Sequence, residues 1–166
     1  VQAQQNLDEV LTVTDADVDK HKFTSSRLPV GARMTRGNLL HIALMSSENR
    51  AAAALGRNYP GGITAFVEAM NAKARELGMN DTHYVDSSGL SSQNVSSARD
   101  LAKLYASLVS EVDGHRLFTD ETVARATTQE TKDGAIDRVI LVPNRYGLGF
   151  SLYTPDSAML GPTSFG

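Results

Sequence analysis

The pattern of apolar and polar positions divides the chain into strand-like, helix-like and loop-like stretches. Residues 9–14, EVLTVT, alternate apolar with polar and predict a short strand with one buried face. Residues 15–34 are largely polar, with Leu28, Pro29 and Val30 interspersed, and read as an ordered loop. Thr35 is a suitable N-cap for a helix carrying Leu39, Leu40, Ile42, Ala43 and Leu44. RAAAALGR at 50–57 has high helix propensity, with Gly56 as its expected C-cap, and YPGG then breaks the chain. From Thr64 to Leu77 the apolar residues Ala65, Phe66, Ala69, Met70 and Ala74 recur at helical spacing, and Gly78 is expected to stop that helix. Residues 80–96 form a loop rich in Asp, Ser, Asn and Gly. Ser96 or Ser97 can cap the next helix, whose stripe is Leu101, Leu104, Tyr105 and Leu108. TDETVARAT at 119–127 opens on an N-cap signal at Thr119. RVILVP and YGLGFSLY, within 138–153, read as strands. The resulting order is a short strand, a block of helices, then strands: an α+β, mostly helical chain with no internal repeat.

One stretch departs from simple amphipathic packing. MSSENRAAAA at 45–54 sets Ser46, Ser47, Glu48, Asn49 and Arg50 between two apolar helical segments. Ser and Asn favour helix ends because they bond the local backbone, so the local pattern favours a helix-to-helix turn. A second, chemical reading exists. A Ser47 hydroxyl held between two helices can relay a proton to a leaving nitrogen, and Asn49 can donate its amide to a substrate carbonyl in the same cleft. Glu48 is expected to face solvent and Arg50 to begin the second helix.

Composition narrows the chemistry. The 166 residues suggest one domain or one and a half, and 41% apolar with 21% charged residues is ordinary for a globular protein. A net charge of −3 with scattered Lys and Arg argues against nucleic acid or an anionic membrane surface as a partner. There is no cysteine, and no apolar run approaches the roughly 20 residues of a membrane span. VQAQQNLDEV carries neither an initiator Met nor a signal-peptide pattern, so a mature, trimmed or partial chain is expected. His21, His41, His83 and His115 lack metal-ligand spacing, and no glycine-rich loop cradles a phosphate; no metal and no cofactor are expected. His41 reads as a core-edge residue, and Met45, Met70 and Met79 as core.

A resemblance adds to this reading. The segments RLPVGARMTRGNLLHIALMSSENRAAAALGRNYPGG and FVEAMNAKARELGMNDTHYVDSSGL, within residues 5–100, resemble the D-Ala-D-Ala endopeptidase and carboxypeptidase branch of the penicillin-binding proteins. That family combines an S-x-x-K, an S-x-N and a K-T-G motif. Ser47 and Asn49 match the S-x-N. No Ser has a Lys three residues later, and K-T-G is absent; Lys132-Asp133-Gly134 reads as an exposed turn. SARDLAKLYASLVSEVDGHRLFTDETVARAT and VPNRYGLGFSLYTPDSAMLGPTSFG resemble class C β-lactamase-like serine esterases, whose H-x-G would follow Phe165-Gly166.

The resemblance implies a partial penicillin-binding-protein, or serine transpeptidase, fold. Residues 1–106 would be the helical-domain portion carrying the S-x-N, and residues 107–166 an esterase-like helix and strands returning to the sheet. It implies Ser47 and Asn49 as site residues, an extracytoplasmic or periplasmic location, and peptidoglycan peptides or β-lactams as partners once the missing motifs are supplied. Two functional readings stand. The chain is a relative of serine D-Ala-D-Ala peptidases, inactive alone for want of the nucleophile. Alternatively it is a non-catalytic fragment or recombined chain that folds, or forms a homo-oligomer through an open sheet edge at 138–153.

Overall fold

The computed structural model describes residues 5–132, 134, 136, 145–148 and 150–154. The element order is β1 (Val10–Thr12), a 3-10 turn (Asp15–Asp17), β2 (Arg33–Thr35), α1 (Arg36–Ser46), α2 (Asn49–Arg57), α3 (Gly62–Glu76), α4 (Ala98–Val109), α5 (Asp120–Ala126), β3 (Arg145–Tyr146) and β4 (Ser151–Leu152). The α+β, mostly helical class expected from the pattern is what the chain adopts.

β1 and β2 pair antiparallel with Leu11 opposite Met34, and β3 pairs with β4 as a separate hairpin. Residues 15–34, expected as loop alone, thus also hold the 3-10 turn and the start of β2. The strand expected at 138–143 lies outside the described residues.

Two apolar clusters organise the helices. In the first, Leu11 and Val13 of the strand segment meet Leu39 of α1 and Ala51 and Ala54 of α2, with Leu28, Met34 and Ile42 packed around them. The alanines stand three residues apart, so one face of α2 is smooth enough for α1 to pack closely upon it. Thr35 caps α1 as predicted, its hydroxyl accepting from the Asn38 N–H at 3.2 Å. In the second cluster Ala74, Leu77 and Met79 pack with Tyr84, Leu104 and Leu117. Gly78, at φ +67°, ends α3 in the left-handed conformation and turns Met79 back into this core.

Side-chain amides and carboxylates connect α3 to α4. Asn71 of α3 donates to the Tyr84 carbonyl at 2.7 Å and accepts from its N–H at 2.8 Å. Asp100 of α4, buried, accepts from the Asp81 N–H and the Thr82 hydroxyl, both at 2.8 Å. Ser97 is the N-cap of α4, and Thr119 caps α5 through the Thr122 N–H.

The structure corrects three local expectations. Gly56 is not a C-cap; it lies inside α2, which ends at Arg57 with Asn58 as its C-cap. It is small because the loop at 86–88 rests on it: a Cβ added there would come within 2.7 Å of the Ser87 side chain. His41 is exposed rather than at the core edge. Of the three methionines read as core, Met79 is fully buried whereas Met45 and Met70 are half-buried.

Candidate functional site

The polar interruption at 46–50 is a turn, as its local pattern predicts. α1 ends at Ser46, Ser47 stands alone at φ 49°, ψ 40°, and α2 begins at Asn49. A left-handed residue closing a helix is ordinarily glycine, because a Cβ clashes with the following carbonyl at a cost of about 1 kcal/mol. Ser47 carries a Cβ and a hydroxyl in that position, and the side chain is exposed.

Glu48 overturns its expectation. It is buried, not solvent-facing, at 7% exposure. It occupies the N-cap position of α2 yet caps nothing with its side chain. Its carboxylate instead crosses to the loop before β2, accepting from the Ser26 hydroxyl and, at 3.4 Å, from the Arg27 N–H. The negative charge still sits at the positive end of α2, where the helix dipole favours it. Arg50 lies at the start of α2 as expected and donates to the Leu28 carbonyl at 2.5 Å.

Asn49 makes the third connection to that loop: its Nδ2 donates to the Thr24 hydroxyl oxygen at 2.9 Å. Residues 24, 26 and 28 therefore hold residues 49, 48 and 50 respectively. Thr24 is fixed in turn by Asp19, whose Oδ2 accepts from the Thr24 N–H at 2.8 Å and hydroxyl at 2.7 Å. The Thr24 N–H, assisted by the Thr24 hydroxyl and the N–H groups of His21 and Lys22, holds the Asp19 carboxyl well below the usual carboxylate range.

A cleft of about 280 Å³ opens beside this turn, lined by Asp19, His21, Asn49, Arg57, Asp86 and Ser88 among others. Arg57 grips the buried Asp17 of the 3-10 turn with two bonds of 2.8 and 2.9 Å, and both residues line the cleft. The opposite lip is the Asp86–Leu90 loop singled out in the sequence. Burial disfavours the Asp86 carboxylate, but the Ser88 hydroxyl, the Asn94 amide and the Gly89 and Leu90 N–H groups outweigh it and lower its pKa. Asn49 thus lines the cleft, and Ser47 stands at the exposed turn two residues before it. The Asn49 N–H₂ expected to meet a substrate carbonyl has one of its two hydrogens committed to Thr24. Sequence reading missed Asp19, Thr24 and Ser26, because they lie 21 or more residues from the turn they support.

Among the described residues no group of three or more His, Asp or Glu could hold a metal ion. No helix of the described residues is long and apolar enough to cross a membrane. Lys132 and Gly134 of the K-D-G sequence are both exposed.

The sequence profile of the D-alanyl-D-alanine carboxypeptidase family, peptidase S11, matches residues 2–139. The chain belongs to this family. The match takes in all of α5. A D-alanyl-D-alanine endopeptidase of Pseudomonas aeruginosa is 55% identical over 98 residues, 59% of this chain and 32% of that protein. One from Escherichia coli K12 is 52% identical over 102 residues, 61% of this chain and 33% of that protein. The crystal structure of the Streptomyces K15 DD-transpeptidase superposes with a TM-score of 0.56 at 31% identity, over 64% of this chain and 45% of that one. The fold is therefore part of the serine transpeptidase fold of the S11 family. The chain spans about a third of the length of the curated relatives it matches.

Proposed function

We propose that these residues form one wall of the catalytic cleft of a serine-type D-Ala-D-Ala endopeptidase or carboxypeptidase acting on peptidoglycan peptides outside the cytoplasm. The observation that carries the reading is Ser47 itself: a hydroxyl-bearing residue kept in a backbone conformation that suits glycine, between two helices and two residues from an Asn lining the cleft. Strain of this kind marks positions held for a purpose other than stability. In this reading Ser47 relays a proton and Asn49 orients the substrate and the base supplied by an S-x-x-K. Residues 1–106 carry the S-x-N wall and residues 107–166 return toward the sheet. The 166-residue polypeptide contains no S-x-x-K and no K-T-G. It therefore has no covalent route of its own.

The experiment grafts residues 5–106 in place of the matching segment of the E. coli endopeptidase and measures acylation by a labelled penicillin. The graft is expected to be acylated, and Asn49→Ala to slow acylation by about 10²–10³-fold, the usual cost of losing a positioned polar group in the cleft. A folded graft whose acylation is indifferent to Asn49→Ala refutes the reading. The isolated 166-residue chain is expected to take up no label, and a stoichiometric covalent adduct on it refutes that part.

A second reading, self-association without catalysis, is favoured by one observation. Leu101, Tyr105 and Val109, four residues apart along α4, are 42%, 59% and 45% exposed and form an unpaired apolar stripe. Light scattering separates the two: a dimer that Tyr105→Lys converts to monomer supports self-association, and a monomeric parent chain rejects it.

A further inference from the structure

The hydrogen-bond polarity around Asn49 constrains which of its two polar ends the cleft meets. An ionised carboxylate only accepts hydrogen bonds, whereas a hydroxyl has one hydrogen to donate and lone pairs to accept with. The Thr24 hydroxyl spends its single hydrogen on Asp19 Oδ2, at 2.7 Å. Its oxygen can then only accept, so the Asn49 group facing it at 2.9 Å must be the N–H₂ and not the carbonyl. Were Asp19 unable to accept, the Thr24 hydroxyl could donate to Asn49 Oδ1 and the amide could stand either way round.

We infer that Asp19, acting through Thr24, sets the orientation of the Asn49 side-chain amide, so that the cleft meets its carbonyl oxygen and one remaining N–H. Among the described residues Oδ1 takes no protein donor. A group that docks there is thus recognised by an N–H or ammonium donor of its own. The inference rests on the functional reading above for its relevance to catalysis, and adds Asp19 and Thr24 as positioning residues. Two further features show that the device is built into the fold. Asp19 also accepts from the His21 and Lys22 N–H groups, at 2.8 and 3.2 Å, so its carboxylate is fixed before Thr24 reaches it. The loop that makes this possible holds Phe23 at φ 53°, a conformation unfavourable for a bulky residue, and the residue is 83% exposed. The backbone accepts that strain where the next residue, Thr24, must turn both its N–H and its hydroxyl onto Asp19.

The test is solution NMR on the ¹⁵N-labelled 166-residue chain, with the Asn49 side-chain amide assigned by its disappearance in Asn49→Ala. One of its two protons is expected to exchange with solvent roughly tenfold more slowly than those of an exposed Asn, the protection of one ordinary hydrogen bond. Thr24→Val is expected to abolish the protection and Thr24→Ser to keep it, a pattern that a merely structural threonine would not give. Asp19→Ala, which removes the acceptor altogether, is expected to reduce it too, although residue 24 keeps its hydroxyl. Protection that survives Thr24→Val, that is undiminished in Asp19→Ala, or that is lost in Thr24→Ser, overturns the inference. Should Asp19→Ala fail to fold, the Thr24 hydroxyl proton of the parent chain decides: bonded to a carboxylate it is observable at low temperature, and its loss to rapid exchange overturns the relay. The readout needs neither penicillin nor nucleophile. A graft that ignores Asn49→Ala while the signature persists rejects the functional reading alone; an active graft without the signature rejects the relay alone.

Discussion

The two lips of the cleft are built in opposite ways. The Ser47–Arg50 turn is held from outside: Thr24, Ser26 and Leu28, from a loop 22 to 25 residues away, each bind one of its residues. The Asp86–Asn94 loop is held from within. Asp86 accepts from the Ser88 hydroxyl at 2.5 Å, from the Gly89 N–H at 3.2 Å and from the Asn94 amide, while Asn94 Oδ1 accepts from the Val85 N–H at 2.8 Å. A self-bonded loop keeps its shape wherever the chain carries it. A turn held by long-range contacts keeps its shape only when the rest of the fold is in place. The Ser47–Arg50 turn therefore depends on contacts from a distant loop, whereas the shape of the opposite lip rests mainly on bonds within it. Gly56 is where the two meet.

The comparison can be broken most severely at Glu48. Glu48→Ala leaves the Ser26 hydroxyl and Arg27 N–H without their acceptor and should cost about 2 kcal/mol in urea unfolding. Hydrogen exchange should accelerate across 24–28 and 47–50 while 86–94 is unchanged; equal acceleration in both would show that the lips are not independent. Gly56→Ala attacks their meeting point. A methyl group within 2.7 Å of Ser87 and 2.9 Å of the Ile63 side chain should force the 86–88 loop off α2. The net cost should be about 1–2 kcal/mol, since overpacking exceeds the helix-propensity gain of alanine. Amide shifts confined to the neighbourhood of 86–88 and 56 would support it, and a gain in stability would count against the packing described.

Ser47→Gly runs the other way. Relief of the left-handed strain should raise stability by about 1 kcal/mol, read as a higher urea midpoint at constant slope. A lower midpoint would mean that the serine side chain contributes more than its strain costs.

The smallest effects belong to acid. Asp86 and Asp19 both have depressed pKa values, so each contributes stability that is fully present above the unfolded carboxylate value of about 3.9 and is lost as pH falls through its folded value. Asp19 is held further below the ordinary range than Asp86, so the 86–94 loop should loosen first on acidification below about pH 4. Exchange at Gly89 and Leu90 should rise before that at Thr24; the reverse order would contradict the bonding described for the two loops.

How much of this could be read in the sequence depends on the range of the interaction concerned. Thr35, Ser97 and Thr119 as N-caps, Gly78 as a stop and the alternation at β1 are local signals, and each is realised. The turn at Ser47 and Asn49 is likewise local. Gly56 misled because a close approach by Ser87, from a distant loop, and not helix termination explains the missing side chain. Glu48 misled because its polarity suggested solvent, whereas its partners Ser26 and Arg27 lie in a segment whose polar residues look featureless until the turn is brought beside them. The support of the turn, unlike the turn, is tertiary.

The most direct test of the central claim is the rate at which labelled penicillin acylates the E. coli graft when it carries Ser47→Gly. If Ser47 is kept in its strained conformation to serve the cleft, the more stable Ser47→Gly graft should be acylated about 10²–10³-fold more slowly than its parent, within the usual range for a lost proton relay. A folded Ser47→Gly graft acylated as fast as its parent would contradict the claim.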